Sequence, residues 1–273
     1  MPEEKKKNNG LKELREDLDK IDIQLKELIK ERAEIAEKIS VIKKEHNLPI
    51  YHPSRELEIL RRLQKSDLSP LNIKLIWNIW RALINANTAI QAQLDIYIEN
   101  NLDNANREII INNFGHENNV IEHNHPIKLL SKQENKNNSI AVIESKSLLL
   151  EEIDKSEFGI IGVLPVINFG SNVPSLYIIG EENYITTNDD TTMLKIVINL
   201  SYEDVVENKI DKLSLLINQE IEYTQQISSD TILFALRSVK IESEDLLRKI
   251  NSEKYIKQAV IIGQYATPID LRR

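Results

Sequence analysis

Polar side chains occupy several helix positions at which the surrounding pattern predicts apolar ones. Arg32 falls between Leu28 and Ile35 in a series of apolar residues spaced alternately three and four apart. A buried arginine without a partner is costly, so Arg32 requires an internal carboxylate or a bound anion. Lys43 follows about three helical turns later and only about 20° around the helix. Both cations can therefore reach toward one small anionic ligand.

Two further pairs of polar residues belong to the same pattern. Asn87 and Gln91 lie about one turn apart in the apolar face of a later helix, and buried amides require fixed partners. Arg55 and Glu56 follow a loop, in the first turn of another helix, where side chains project past the helix end. A structural interpretation stays open, because polar residues in a coiled-coil seam can set its register. In combination, these residues indicate a pocket for a compact dianion that bears a hydroxyl group.

Three predicted helices position these residues. The first runs from Leu11 to Leu48 without proline or glycine, and the second has Pro53 in its first turn. The third is expected from Leu71 to Ile98, with Ser69 as its N-cap and Pro70 in the first helical position. A first helix of roughly 50 Å is too long to be buried in one small domain. We therefore expect it to pack against a second copy of the chain.

The charged and apolar positions over about residues 11–98 resemble the all-helical class of chorismate mutase. The residues that carry this resemblance are Leu14-Arg15, Asp19, Ile21-Asp22, Leu25 to Ile29, Glu31-Arg32, Lys43, Pro53-Ser54-Arg55-Glu56 and Leu60-Arg61-Arg62-Leu63. In that family two subunits interlock their long first helices, and each active site draws residues from both. The resemblance thus implies an all-α domain that forms an intertwined homodimer and converts chorismate to prephenate in phenylalanine and tyrosine biosynthesis.

The resemblance also implies roles for the cations and amides. Arg32 would bind one substrate carboxylate, and Arg15 would reach the other carboxylate from the second subunit. Lys43 and Gln91 would donate hydrogen bonds to the ether oxygen of the breaking bond. These four positions include the three expected to act in catalysis, namely Arg32, Lys43 and Gln91.

The remaining implied roles concern orientation of the substrate and its ring hydroxyl. Arg55 would orient the site, and Glu56 would accept a hydrogen bond from the ring hydroxyl. Asn87 stands where the family often has serine, near a carboxylate. His52 stands where many members carry an aspartate next to the ring hydroxyl, so this position departs from the family pattern.

The implied reaction fits this set of residues. Chorismate rearranges in one intramolecular step that formally requires no acid, base, metal or nucleophile, so no cofactor is expected. The protein has to hold the substrate in a reactive conformation and stabilise the negative charge that develops on the ether oxygen. Fixed arginine side chains suit the two carboxylates of such a substrate.

Composition narrows the possible classes of protein. The chain contains no cysteine, which excludes disulfides and thiolate chemistry. A net charge of −8 argues against a general nucleic-acid binder. The N-terminus lacks an apolar signal segment, and the most apolar stretch, residues 158–169, is too short to cross a bilayer. We therefore expect a cytoplasmic protein that contacts neither nucleic acid nor membrane.

The second half predicts a different architecture. After a polar stretch, short apolar runs typical of strands alternate with helical segments, which favours an α/β or α+β region. Residues 158–168 resemble the "GVVPIEN" segment of prephenate dehydratase, and residues 262–266 resemble the end of its small regulatory domain. The family's glutamate is Ile167 here, and its Thr-Arg-Phe motif has no clear counterpart in residues 189–194.

These features divide the chain into four predicted parts. They are a flexible leader (1–10), the helical chorismate mutase domain (11–98), a linker with a degenerate dehydratase-like region (99–190) and a small α+β regulatory-like domain of order βαββαβ (191–273). Two alternatives to a simple mutase stay open. One is a bifunctional chorismate mutase and prephenate dehydratase, and the other is a non-catalytic helical dimerisation module with a small-molecule sensor domain.

Overall fold

The structure of the chain is a computed structural model. It describes residues 2–133, 136–153, 158–168, 173–181, 186–202, 208–237 and 244–270, with the backbone alone for residues 2–9 and 168. Among these residues, no helix combines the length and the apolar character needed to cross a membrane.

Three helices form the N-terminal region, in the order that the sequence predicts. They are α1 (Pro2–Glu45), α2 (Pro53–Gln64) and α3 (Ile73–Gln91). The first helix begins at Pro2 rather than at the predicted Leu11. The flexible leader over residues 1–10 stays a prediction. Glutamate and lysine are good helix formers, and proline is tolerated in a first helical turn, so this segment can extend the helix.

The predicted limits of α3 are wrong at both ends. Asn72, not Ser69, is the N-cap, because its side chain accepts a hydrogen bond from the Leu75 amide at 2.9 Å. The helix ends at Gln91 rather than at Ile98. Residues 95–99 instead form a strand, since Ile96 and Ile98 are buried in the sheet.

The rest of the chain is a mixed α/β region. Its strands are β1 (Asp95–Glu99), β2 (Asn119–His123), β3 (Ser139–Glu144), β4 (Phe158–Leu164), β5 (Ile167–Asn168), β6 (Leu176–Glu181), β7 (Asp190–Ile198), β8 (Ile221–Gln226), β9 (Thr231–Arg237), β10 (Ile256–Ala266) and β11 (Ile269–Asp270). Its helices are α4 (Asn104–Phe114), α5 (Pro126–Ser131), α6 (Lys209–Ile217) and α7 (Glu244–Asn251), with short 3-10 segments at Lys136–Asn138 and Leu148–Glu152.

Most of these strands join one sheet of order β2-β1-β3-β6-β4-β10-β7-β9-β8, and β11 pairs with β5 in a small second sheet. Strands β2, β1 and β3 are parallel, β4 and β10 are parallel, and the other neighbours are antiparallel. The sheet is continuous across residue 190, where β7 begins. The division of residues 99–273 into two domains stays a prediction.

The helical region packs onto the sheet region through α2 and α3. Leu57 and Leu60 of α2 and Trp77 of α3 share one buried cluster with Ala266 and Ile269. Burial of these side chains removes apolar surface from water and fixes α2 against the end of β10. The opposite side of α2 and the inner side of α1 are then left to form the site described below.

Candidate active site

A buried ion pair joins α2 to α3. Arg81 of α3 donates from Nη1 to the Glu56 carboxylate of α2 at 2.6 Å. The two side chains are only 9% and 12% exposed. Sequence reasoning missed Arg81, although a signal was present, because this cation interrupts the apolar face between Trp77 and Ile84. Glu56 lies where it was expected, in the first turn of α2.

Lys43 reaches the same area from the end of α1. Its Nζ donates to the Ile50 carbonyl at 2.7 Å. Burial lowers the pKa of Lys43 to about 8, and the Glu56 carboxylate partly opposes this shift. Burial, and after it the charge of Lys43, lowers the pKa of His52 to about 4. At pH 7 the area therefore holds a Lys43 cation and a neutral His52.

A second set of contacts joins α1 to α3. Arg32 donates to the Leu83 carbonyl at 2.7 Å, and Asn87 donates back to the Arg32 carbonyl at 3.3 Å. Gln91 donates to the Asn87 carbonyl at 3.2 Å, while Ser40 of α1 donates to the Gln91 carbonyl at 2.8 Å. The structure thus brings Arg32, Asn87 and Gln91 onto facing surfaces of α1 and α3.

Polar atoms in these contacts retain hydrogen-bonding capacity. Among the described residues, buried Arg81 Nη2 and Gln91 Oε1 have no hydrogen-bond partner. Arg32 and Lys43 donate to the neutral carbonyls of Leu83 and Ile50. A carboxylate is a stronger acceptor than a carbonyl, so an anionic ligand can compete for both cations.

Two predicted site residues lie apart from this group. Arg15 is exposed on the outer part of α1. Arg55 is also exposed, and its Nη1 donates to Glu58 at 3.1 Å along the outer side of α2. The single chain therefore does not bring Arg15 or Arg55 to the Glu56–Arg81 pair.

A cleft lies between α2 and the sheet. It is an open cleft of about 1070 Å³ that both regions line. Arg61 of α2 crosses it and donates to Thr187 at 3.0 Å, to the Asp189 carbonyl at 2.9 Å and to the Thr267 carbonyl. Arg237 of β9 donates to both carboxylate oxygens of Asp189, at 2.9 and 3.0 Å.

The fold and the site define the class of the N-terminal region. It is an all-helical domain with charged side chains buried between its helices. Residues 14–92 match the family described as chorismate mutase type II. The chain therefore has an N-terminal type II chorismate mutase domain, as the sequence predicts.

Two curated relatives are similar over this domain. The bifunctional chorismate mutase/prephenate dehydratase of Aquifex aeolicus is 32% identical over 90 residues, which cover 32% of this chain and 25% of that protein. The T-protein of Haemophilus influenzae is 33% identical over 86 residues, or 31% of this chain and 22% of that protein. The chain thus spans about a quarter of the length of each relative.

Solved structures give a weaker resemblance to a larger part of the chain. Prephenate dehydratase from Streptococcus mutans is 10% identical with a TM-score of 0.41, covering 66% of this chain and all of that one. GqqA, described as a novel type of quorum quenching acylase, is 12% identical with a TM-score of 0.39, covering 63% of this chain and 94% of that one. Both resemblances extend over about two thirds of this chain.

Proposed function

We propose that the helical domain is an active chorismate mutase that rearranges chorismate to prephenate, a step of aromatic amino-acid biosynthesis. The observation that carries the proposal is the arrangement of Lys43, Glu56 and Arg32. These charged side chains come from two helices of the matched domain and are each at least partly buried. Such an arrangement suits a substrate with two carboxylates and a ring hydroxyl.

Substrate carboxylates replace backbone carbonyls as partners of the cations in this proposal. Arg32 exchanges the Leu83 carbonyl for one carboxylate, because a charge-assisted hydrogen bond is stronger than a neutral one. Lys43 and Gln91 then donate to the ether oxygen. Donors already held in place stabilise the charge developing there without reorganisation during the reaction.

Glu56 and His52 are placed at the ring hydroxyl. Glu56, held by Arg81, accepts the hydroxyl proton in a hydrogen bond. With its pKa lowered to about 4, His52 is neutral at pH 7 and can accept or donate one hydrogen bond without adding a charge. Histidine can therefore replace the aspartate of many family members in a hydrogen-bonding role.

A homodimer completes the proposed site. The part of α1 beyond the site exposes a row of large apolar residues, which are Leu11, Leu14, Leu18, Ile21, Leu25 and Leu28. Exposed apolar rows at this spacing are covered in coiled coils by a second helix. A second copy packed there can bring its Arg15 to the substrate, and Arg55 is expected to orient the completed site.

The test is to mix the purified chain with chorismate, follow the loss of chorismate absorbance and identify the product. Wild-type protein is expected to form prephenate. Lys43→Met should lower kcat/KM by about 10²–10⁴-fold, the range for loss of a preorganised charge donor. Lys44→Met is the matched control, because Lys44 is exposed on the same helix. Absence of turnover by the wild-type chain would reject the proposal.

The cleft between α2 and the sheet is the reason to keep the bifunctional enzyme as an alternative. It has room for a small molecule, and the Aquifex aeolicus relative is named as bifunctional. If residues 99–273 carry a second activity, the purified chain converts prephenate to phenylpyruvate. If chorismate is bound without turnover, the non-catalytic module is the better description.

A further inference from the structure

Arg81 raises a question that packing alone does not answer. Its side chain is buried on α3 beside Trp77 and Ile84, where an apolar residue would complete the helix face. Removing two charges from water is costly, and apolar residues of similar size often replace a buried ion pair without loss of stability. The Arg81–Glu56 pair is therefore poorly explained by stability.

The hydrogen bonds of Arg81 indicate that it acts on Glu56 in the proposed active site. Nη1 holds one carboxylate oxygen of Glu56 at 2.6 Å, whereas buried Nη2 has no partner among the described residues. Most buried donors in folded proteins are paired, so an unpaired guanidinium nitrogen calls for a reason other than packing. The contact places the guanidinium where it controls the position and the charge of Glu56.

The charged and titratable groups around Glu56 come from each element packed against it. Arg81 faces it from α3, Lys43 from α1, and Tyr51 and His52 from the loop before α2. Burial raises the pKa of Glu56, and Arg81 and then Lys43 oppose that rise. Tyr51 stays neutral because burial and the Glu56 charge raise the pKa of its phenol. Arg81 is thus the nearest cation that keeps this carboxyl group charged.

We propose that Arg81 is a positioning residue that holds Glu56 as an ionised acceptor for the ring hydroxyl of the substrate. The proposal rests on the mutase function proposed above. Glu56 touches the substrate, whereas Arg81 acts through Glu56. Without Arg81, only Lys43 opposes the effect of burial, and Glu56 takes up a proton at higher pH.

The decisive measurement is the pH profile of kcat/KM from pH 5 to 9 for wild type, Arg81→Met and Arg81→Lys. In Arg81→Met the acid limb should move up by about one pH unit or more, because one close positive charge is lost. Its kcat/KM should fall more at pH 6 than at pH 8, by at most about tenfold if the limb moves by one pH unit. Arg81→Lys keeps a charge and should restore part of the shift. Glu56→Gln should lose the limb altogether.

A direct titration of Glu56 separates this role from a loss of folding. The carboxylic-acid stretch in the infrared spectrum is assigned to Glu56 by its disappearance in Glu56→Gln. It should emerge at higher pH in Arg81→Met than in wild type. Arg62→Met, an exposed cation on α2, is the control and should leave both profiles unchanged.

The outcomes distinguish the two proposals. A wild-type chain that does not turn over chorismate rejects the mutase and with it this role. An active wild type with an unmoved acid limb and infrared titration in folded Arg81→Met rejects the role of Arg81 alone.

Discussion

The chain uses buried or half-buried arginines in two places, on opposite sides of α2, and satisfies them to different degrees. In the cleft, Arg61 reaches a hydroxyl and two carbonyls, and Arg237 holds both oxygens of the Asp189 carboxylate. Between the helices, Arg81 holds one oxygen of Glu56 and leaves Nη2 unpaired. Gln91 likewise leaves Oε1 unpaired.

This difference separates polar groups that hold the fold from polar groups available to a ligand. Hydrogen bonds of Arg61 in the cleft join α2 to residues beside the strands, at Thr187, Asp189 and Thr267. Unpaired buried atoms lower stability, and proteins tend to keep such local costs where function requires them. The proposed function uses the contacts between α1, α2 and α3 for substrate, and the contrast with the Asp189 contacts of the cleft can be tested by substitution.

Among the variants that test this comparison, the largest effect is expected from Gln91→Met. It removes the proposed donor to the ether oxygen and should lower kcat/KM by about 10²-fold. Stability should change by no more than about 1 kcal/mol, because the variant also removes a buried unpaired oxygen. Steady-state kinetics and urea unfolding measure the two quantities.

Gln93→Met is the control for that variant. Gln93 is exposed and donates to Glu117 and Asn119 outside the site. Kinetics of Gln93→Met should match the wild type. Normal turnover by Gln91→Met would break the comparison, because the unpaired amide would then have no catalytic use.

The opposite result is expected from Asp189→Asn. An amide cannot accept both hydrogen bonds of Arg237 as strongly, so the variant should lose about 1–2 kcal/mol of unfolding free energy. Mutase kcat/KM of the folded protein should stay within a factor of about two, since Asp189 touches no residue of the proposed mutase site. Urea midpoints give the stability change.

Glu220→Gln tests whether any carboxylate in the cleft has this effect. Its side chain is exposed at the cleft wall, and a surface substitution of this kind should change stability by less than about 0.5 kcal/mol. An equal loss in Glu220→Gln and Asp189→Asn would indicate a general charge effect rather than the specific pair.

Local sequence patterns predicted most elements of the fold. The apolar spacing gave the three helices, and short apolar runs gave β3, β4, β6 and β9, because these signals depend only on neighbouring residues. Strand β1 was missed, since Leu94 and Ile98 continue the helical spacing of α3. Its strand state depends on parallel pairing with β2 and β3, which are distant in sequence.

The same limit applies to the site. Asn87 and Gln91 were placed on one helix face from their spacing alone. Arg81 was visible as a charge within an apolar face, but its partner Glu56 lies on another helix. Arg15 and Arg55 are exposed on α1 and α2, apart from the Glu56–Arg81 pair, and spacing along one helix does not reveal such differences in position.

A further expected effect is a pH dependence set by Lys43. Burial lowers its pKa to about 8, so the active ammonium form is lost as the pH rises through that value. In this range kcat/KM should fall by about tenfold per pH unit. His52, with a pKa of about 4, does not titrate there.

Lys43→Arg should remove the alkaline limb up to about pH 10, because a guanidinium stays protonated. Bound dianion should move the limb in kcat to higher pH than the limb in kcat/KM. A wild-type profile that stays level to pH 9.5 would show that the Lys43 charge is not used in catalysis.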